Sequence, residues 1–186
     1  MKIKKLIALI LALTVILSAI YFGAVSVLKI LYPLKYEDYV EVYAAENNLS
    51  PAFVYAVIHC ESRFDNEAVS NVGATGLMQI MPDTFQWLSA KLGEDSDYSK
   101  ATDPETNIKY GCYLYRYLLD KYGRVQEAIA AYHAGLGNVD KWLEDESYSS
   151  DGKTLHTIPF PTTNKYVKKV IVTENIYEKL YFRKEQ

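Results

Sequence analysis

Residues 61–84 read ESRFDNEAVSNVGATGLMQIMPDT. It begins at the end of a segment, 51–63, whose apolar residues have helical spacing. Pro82 then opens another predicted helix. Between the two helices, Gly73 and Gly76 permit tight turns and small apolar residues remain available for packing. We therefore predict an ordered loop between two helices.

Helical spacing recurs along the remaining chain, whereas no alternating pattern typical of strands is found. Asp103 followed by Pro104 is a typical helix start, and Gly123, Gly135 and Gly137 are typical stops. The predicted helices cover 36–47, 51–63, 82–92, 105–122, 124–134 and about 162–182, with a short turn over 139–143. The sequence thus predicts an all-α domain.

The first 30 residues are basic, whereas the rest of the chain, called the body below, is acidic. The chain has 186 residues and a formal net charge of -3. Residues 1–30 contain four lysines and no acid, whereas the rest contains 16 basic and 23 acidic side chains. An acidic body lacks the basic face that displaces counterions from nucleic acid, so we expect no nucleic-acid partner.

The first 30 residues include a long apolar segment. From Leu6 to Leu28 there are 23 residues without a charge, and at about 1.5 Å per residue a helix of this length exceeds the roughly 30 Å of a bilayer core. Lysines 2, 4 and 5 precede the segment, which places the N-terminus in the cytoplasm. The alternative is a cleaved signal peptide, with Ala24–Ser26 as a small-x-small cleavage site.

We therefore expect two parts: an N-terminal anchor or signal segment over 1–30 and a catalytic domain over 31–186. The expected location is the cell membrane, single-pass with the domain extracytoplasmic, or secreted if the segment is cleaved. Cys60 and Cys112 are the two cysteines of the chain. Two cysteines do not form a disulfide framework, so we expect buried free thiols.

Glu61 is an acidic residue at an unusual position, on the apolar face of the predicted helix 51–63. It follows Val57 by four positions and Ile58 by three, so its carboxyl group points the same way as the apolar face. A buried carboxyl group holds its proton with a raised pKa unless donors stabilise its charge. Such a group can act as a general acid near neutral pH. The structural alternative is a helix-end glutamate satisfied by Arg63 or a backbone amide.

Three ordered elements of the sequence carry a resemblance to a known family. They read ESRF at 61–64, AVS at 68–70 and GATGLMQIMPDT at 73–84; then AYHAG at 131–135; then IPFPTTNKYV at 158–167. Together they resemble the catalytic domain of the soluble lytic transglycosylases, the goose-lysozyme-related enzymes of glycoside hydrolase family 23. The resemblance extends over about 36–175 and implies a lysozyme-like helical domain of the goose type.

The resemblance also implies an activity on peptidoglycan. The family's single catalytic acid falls on Glu61, which would protonate the β-1,4 bond between N-acetylmuramic acid and N-acetylglucosamine. The muramyl C6 hydroxyl would then close on C1, giving a 1,6-anhydro end. An internal hydroxyl and the N-acetyl group would replace the second carboxylate that most glycosidases use. No cofactor is implied.

Six side chains are expected from the resemblance to bind substrate. Ser70 and Gln79 would hold Glu61 and the sugar, and Met78 would line the groove. Tyr132 would place its hydroxyl near the reacting centre, and His133 stands where the family usually has asparagine. The complete set is Ser70, Met78, Gln79, Tyr132, His133 and Tyr166. Turn, surface-amide and core roles remain the structural alternatives for these residues.

Two other functions remain open from the sequence. A muramidase of the same fold would deliver water to C1, and a non-catalytic glycan-binding envelope module would keep the groove without turnover. The spacing of histidines and cysteines matches no common metal motif, so we predict no metal site. The expected partners are peptidoglycan strands and, through the N-terminal helix, the membrane; envelope proteins are possible further partners.

Overall fold

The computed structural model describes residues 2–183 and is helical, with short connecting loops. Within these residues, extended pairing is limited to two isolated β-bridges, Val69 with Thr75 and Thr75 with Ile80. A 3₁₀ turn over Tyr98–Thr102 and a π-helical turn over Glu178–Phe182 complete the secondary structure. The helices are α1 (Lys2–Leu31), α2 (Glu37–Glu46), α3 (Pro51–Glu61), α4 (Pro82–Lys91), α5 (Pro104–Tyr122), α6 (Val125–Ala134), α7 (Leu136–Glu144) and α8 (Pro161–Tyr177). The prediction of an all-α fold is confirmed.

The chain divides between Leu34 and Lys35 into two compact units. The first unit contains α1, in which Ile3–Leu31 forms a stretch of 29 residues that includes an 18-residue window with a mean hydropathy of 2.6. By length and composition, this helix can cross a membrane.

The second unit is a helical domain built around α3. Every residue from Ala52 to Ile58 is buried, which is the pattern of a helix that is surrounded by protein. Helix α3 packs extensively against α8, and α6 contacts α5, α7 and α8. The second unit therefore has one hydrophobic core, and the C-terminal end of α3 lies beside α8.

Helix α3 is two residues shorter than its apolar spacing predicts. Arg63 and Phe64 have φ angles of 54° and 66°, and two successive left-handed residues cannot continue a right-handed helix. Glu61 is consequently the last residue of α3. The helix end thus places this carboxyl group at the start of the loop described above.

A nine-residue helix, α7, occupies the region where the sequence predicts only a short turn over 139–143. The prediction was wrong because it took Gly135 and Gly137 as two stops. Gly135 instead lies at the N-terminal boundary of α7. Val139 and Trp142, one turn apart, are both buried, and Trp142 packs edge-on against Phe160 at a ring-centroid distance of 4.9 Å. This packing stabilises the helix.

The loop from 62 to 81 is fastened to α5 by one buried side chain, Asn107. Its Oδ1 accepts from the Met78 N–H at 2.7 Å, and its Nδ2 donates to the carbonyls of Thr75 at 3.1 Å and Ala101 at 2.7 Å. Gly76 (φ +83°) lies so close that an added Cβ would be 2.1 Å from the Ala101 carbonyl oxygen. Only glycine fits there, and the loop is held against α5 as a result.

Candidate active site

The carboxyl group of Glu61 lies between α3 and α8. The Tyr166 hydroxyl on α8 donates to Glu61 Oε1 at 2.5 Å, and Tyr166 itself is buried. Lys169 stands one turn further along α8, where its Nζ donates to the Cys60 carbonyl at 3.0 Å. Two helices far apart in sequence therefore position the proposed acid.

Burial raises the pKa of Glu61 to about 7. The hydrogen bond from Tyr166 and the positive charge of Lys169 both lower this pKa, so desolvation outweighs them. Among the described residues, no acidic neighbour figures among the causes of the shift. A carboxyl group with this pKa is about half protonated at neutral pH and can either donate or accept a proton.

Three tyrosines form a connected group beside this acid. The Tyr115 and Tyr166 hydroxyl oxygens lie 3.4 Å apart. The ring of Tyr115 stacks on that of Tyr132, with centroids 4.2 Å apart and planes inclined by 7°. The Tyr132 hydroxyl donates to the Met78 carbonyl at 2.6 Å. Burial keeps the pKa of each of these hydroxyls well above its usual value, so at neutral pH all three remain uncharged donors.

His133 lies at the solvent-exposed side of this group. Its Nδ1 is 3.1 Å from the Thr163 hydroxyl oxygen, and its ring centroid is 4.6 Å from that of Tyr166. Partial burial lowers the pKa of the imidazole, which favours the neutral ring. A neutral imidazole can donate or accept one hydrogen bond at each ring nitrogen, depending on its tautomer.

Ser70 and Gln79 are bonded within the loop itself. Ser70 Oγ accepts from the Ala74 N–H at 2.9 Å. The Gln79 side-chain amide donates to the carbonyls of Ala68 and Gly76, both at 3.0 Å. Both side chains are half-buried, and no described residue links either of them to Glu61 by a hydrogen bond. Their contacts with substrate remain a prediction.

Met78 reaches the site through its backbone. Its side chain is 0% exposed and lies so close to α5 that a Cβ on Gly111 would be 2.2 Å from Met78 Sδ. The thioether thus has no surface to offer to a glycan in this structure, whereas the Met78 carbonyl lies next to Tyr132. The predicted groove contact of this residue needs another conformation.

Sequence reasoning missed three residues that the structure brings to the site: Tyr115, Thr163 and Asn107. Tyr115 continues a stripe on α5 with Ile108 and Cys112, and all three are buried. That spacing could have identified Tyr115 as an inward-facing residue. Thr163 lies inside the third matched element, but nothing in its residue type indicates a partner for His133. No pattern in the sequence identifies Asn107 as a residue that holds the loop.

The two cysteines are not joined by a disulfide in the structure. Cys60 and Cys112 are free, with Cys112 buried and Cys60 half-buried. Cys60 Sγ lies 3.6 Å from the Thr173 hydroxyl oxygen. Across residues 2–183, no group of three or more His, Cys, Asp or Glu side chains is arranged to hold a metal ion.

The all-α domain that contains the Glu61 carboxyl group belongs to the lysozyme-like helical domains, as its similarity to solved structures shows. The lytic transglycosylase Slt of Pseudomonas aeruginosa, solved as an inactive mutant, superposes with a TM-score of 0.73 at 32% identity, covering 82% of this chain and 25% of that one. The 70 kDa soluble lytic transglycosylase of Escherichia coli gives 0.74 at 30% identity, covering 84% and 26%. The expected lysozyme-like fold is confirmed.

The family follows from sequence comparison. Residues 38–155 match the Transglycosylase SLT domain, which is more than half of the chain. The soluble lytic murein transglycosylase of Salmonella typhimurium is 34% identical over 159 residues, covering 83% of this chain and 24% of that protein. The chain therefore belongs to the Transglycosylase SLT domain family. It spans about a quarter of the length of these relatives.

Proposed function

We propose that this protein is a peptidoglycan lytic transglycosylase, with Glu61 as its acid and then its base. One observation carries the proposal: burial holds the pKa of Glu61 at about 7 while Tyr166 donates to its carboxyl group at 2.5 Å. The similar proteins are described as murein transglycosylases. The assignment of residues 31–186 as the catalytic domain is part of this proposal.

In the first step, protonated Glu61 gives its proton to the glycosidic oxygen between N-acetylmuramic acid and N-acetylglucosamine. The C1–O bond of the muramyl residue breaks, and the N-acetylglucosamine side leaves as an alcohol. The muramyl N-acetyl oxygen shares the positive charge that develops at C1. Glu61 is left as a carboxylate, which the Tyr166 hydroxyl stabilises by its hydrogen bond.

In the second step, the Glu61 carboxylate removes the proton of the muramyl C6 hydroxyl. The C6 oxygen forms a bond to C1, giving the 1,6-anhydro ring, and Glu61 returns to its protonated form. A pKa near 7 suits both steps, because the group must give and take the same proton near neutral pH. Neither step needs a second carboxylate, in keeping with the isolated position of Glu61.

The remaining predicted site residues take roles on the substrate side. His133 lies beside Tyr166 and Tyr132 beside Tyr115, and both would contact the sugars beside the cleaved bond. Ser70 and Gln79 would act from the loop, through the parts of their side chains that reach its surface. Met78 would act through its backbone carbonyl or after its side chain moves. The N-terminal helix α1 would hold the protein at the membrane, or direct its export, and place the domain outside the cytoplasm.

The products of digestion test this function. We expect incubation of residues 31–186 with purified cell-wall sacculi to release muropeptides that end in 1,6-anhydromuramic acid, each lighter by one water than the hydrolysis product. Mass spectrometry of the soluble fraction measures this difference. Reducing ends alone would indicate a muramidase and would contradict the transglycosylase mechanism. Saturable binding to sacculi without any release would indicate a glycan-binding module.

A further inference from the structure

Thr163 lies in the first turn of α8 and is only 1% exposed. A glycan bound at the surface of the protein therefore cannot touch its side chain. Its hydroxyl oxygen is nevertheless 3.1 Å from Nδ1 of His133, near the end of α6. An imidazole and a hydroxyl form a hydrogen bond at this distance, and the tautomer of the ring decides which atom donates. This bond ties the end of α6 to α8, one turn before Tyr166.

The ring of His133 also covers the ring of Tyr166. Thr163 and Tyr166 are three positions apart on α8 and both are buried, so they share one face of that helix. The centroids of the His133 and Tyr166 rings are 4.6 Å apart, with planes inclined by 34°. His133 is exposed on its other side, and an exposed side chain can change rotamer unless a contact holds it. The hydrogen bond to Thr163 therefore keeps the imidazole over Tyr166.

The orientation of Tyr166 decides whether Glu61 receives a hydrogen bond. The Tyr166 hydroxyl has two oxygen neighbours, Glu61 Oε1 at 2.5 Å and the Tyr115 hydroxyl at 3.4 Å. A phenol has a single proton to donate, so a turn of the ring toward Tyr115 takes the bond away from the carboxyl group. The bond from Tyr166 favours the charged form of Glu61 and lowers its pKa. Weakening that bond therefore raises the pKa of Glu61.

We infer that Thr163 and His133 are positioning residues for the proposed acid: the Thr163 hydroxyl fixes the His133 ring, and this ring holds the Tyr166 hydroxyl on Glu61. The inference rests on the proposed function, because it takes Glu61 as the acid. Neither positioning residue exchanges a proton with the substrate. His133 thereby has a second role beside its predicted contact with the sugars.

The first test measures the pKa of Glu61 in the absence of substrate, by ¹³C NMR titration of its carboxyl resonance in the full chain in detergent. Tyr166→Phe removes the donor and should raise the titration midpoint by about one pH unit. Thr163→Val keeps the volume of the buried side chain and removes only its hydroxyl. We expect this variant to raise the midpoint by about half a pH unit. The titratable groups that face Glu61 are unchanged in it: Cys60, Tyr115, Tyr132, Tyr166 and Lys169.

A double substitution shows whether the two residues act through the same bond. His133→Phe keeps a ring over Tyr166 but cannot bond to Thr163, so it should raise the midpoint as Thr163→Val does. Combining the two changes should raise the midpoint no further, because both remove one interaction. Additive shifts, or an unchanged or lower midpoint in Thr163→Val, would overturn the inference.

Two further variants control for the loss of a buried threonine. Thr163→Ser keeps the hydroxyl and should retain the midpoint of the unmodified protein. Thr173→Val is the same change at another buried threonine of α8, whose hydroxyl oxygen lies 3.6 Å from Cys60 Sγ. It should leave the midpoint in place. An equal shift in Thr173→Val would show a general response to the substitution and would overturn the inference.

The rate of cleavage gives a second readout. Because Thr163 cannot touch the substrate, Thr163→Val should lower kcat on sacculi about fivefold and leave the apparent KM unchanged. A higher KM with unchanged kcat would indicate a role in glycan binding and would overturn the inference, even if Glu61→Gln abolishes cleavage as the proposed function requires. If the unmodified protein releases no anhydromuropeptides while the midpoint responds to Thr163 and His133 as described, the proposed function fails and the positioning of Glu61 stands.

Discussion

Replacing Glu61 with glutamine is expected to slow peptidoglycan cleavage by about 10³-fold and to leave glycan binding intact. Glutamine has nearly the same shape as glutamic acid and can still accept the hydrogen bond from Tyr166. It cannot give a proton to the glycosidic oxygen or take one from the C6 hydroxyl. Both proposed steps therefore fail together. Release of soluble muropeptides from sacculi measures the rate, and co-sedimentation with sacculi measures binding.

A control for this change lies in the same loop. Glu67 is exposed and bonds only near its own position, accepting from the Asn66 amide at 3.0 Å. Glu67→Gln removes one negative charge from the same region without touching the proposed acid, and it should cleave at the rate of the unmodified protein. Cleavage by Glu61→Gln at that same rate would remove Glu61 from the mechanism.

The second large effect concerns stability. Asn107→Ala is expected to lower the free energy of unfolding by about 4 kcal/mol, because it deletes three hydrogen bonds and leaves buried backbone groups without partners. Those groups are the Met78 N–H and the carbonyls of Thr75 and Ala101. Urea unfolding of residues 31–186, followed by tryptophan fluorescence, measures the change. Cleavage should fall as well, since the loop after Glu61 loses its attachment to α5.

Asn175→Ala is the matched control for that experiment. Asn175 is exposed on α8, and its side-chain amide donates to the Ile171 carbonyl of its own helix at 2.9 Å. Losing this single exposed bond should change the free energy of unfolding by less than about 1 kcal/mol. If Asn107→Ala is no more destabilising than this control, the loop is held by other contacts.

Local signals in the sequence predicted the helices well and their ends less well. Asp103 before Pro104 marks the start of α5, where the Asp103 side chain accepts from the Thr106 N–H at 3.0 Å. The early end of α3 depends on left-handed backbone at Arg63 and Phe64. Neither residue type favours that conformation, so tertiary contacts impose it. Apolar spacing alone therefore predicts a helix that continues past Glu61, to residue 63.

Sequence patterns could predict individual site residues that belong to a local motif, but not the contacts between residues that are distant in sequence. Glu61 stands out because an acid occurs on an apolar helix face, and its burial follows from that position. The hydrogen bond from Tyr166 joins residues 105 positions apart, and no local pattern encodes such a contact. Met78 shows a related limit: its motif predicts a groove residue, and this stays a prediction, whereas in the structure the absence of a Cβ on Gly111 lets its side chain pack inward.

The protonation state of Glu61 is measured most directly by ¹³C NMR of the full chain in detergent, labelled at glutamate carboxyl carbons and titrated from acidic to basic pH. The resonance missing from the spectrum of the Glu61→Gln protein identifies the residue. Burial raises the pKa of this group, so the account predicts a titration midpoint of about 7. A midpoint near the ordinary value of about 4.3 would show a solvated carboxylate, and the proposed acid would then be wrong.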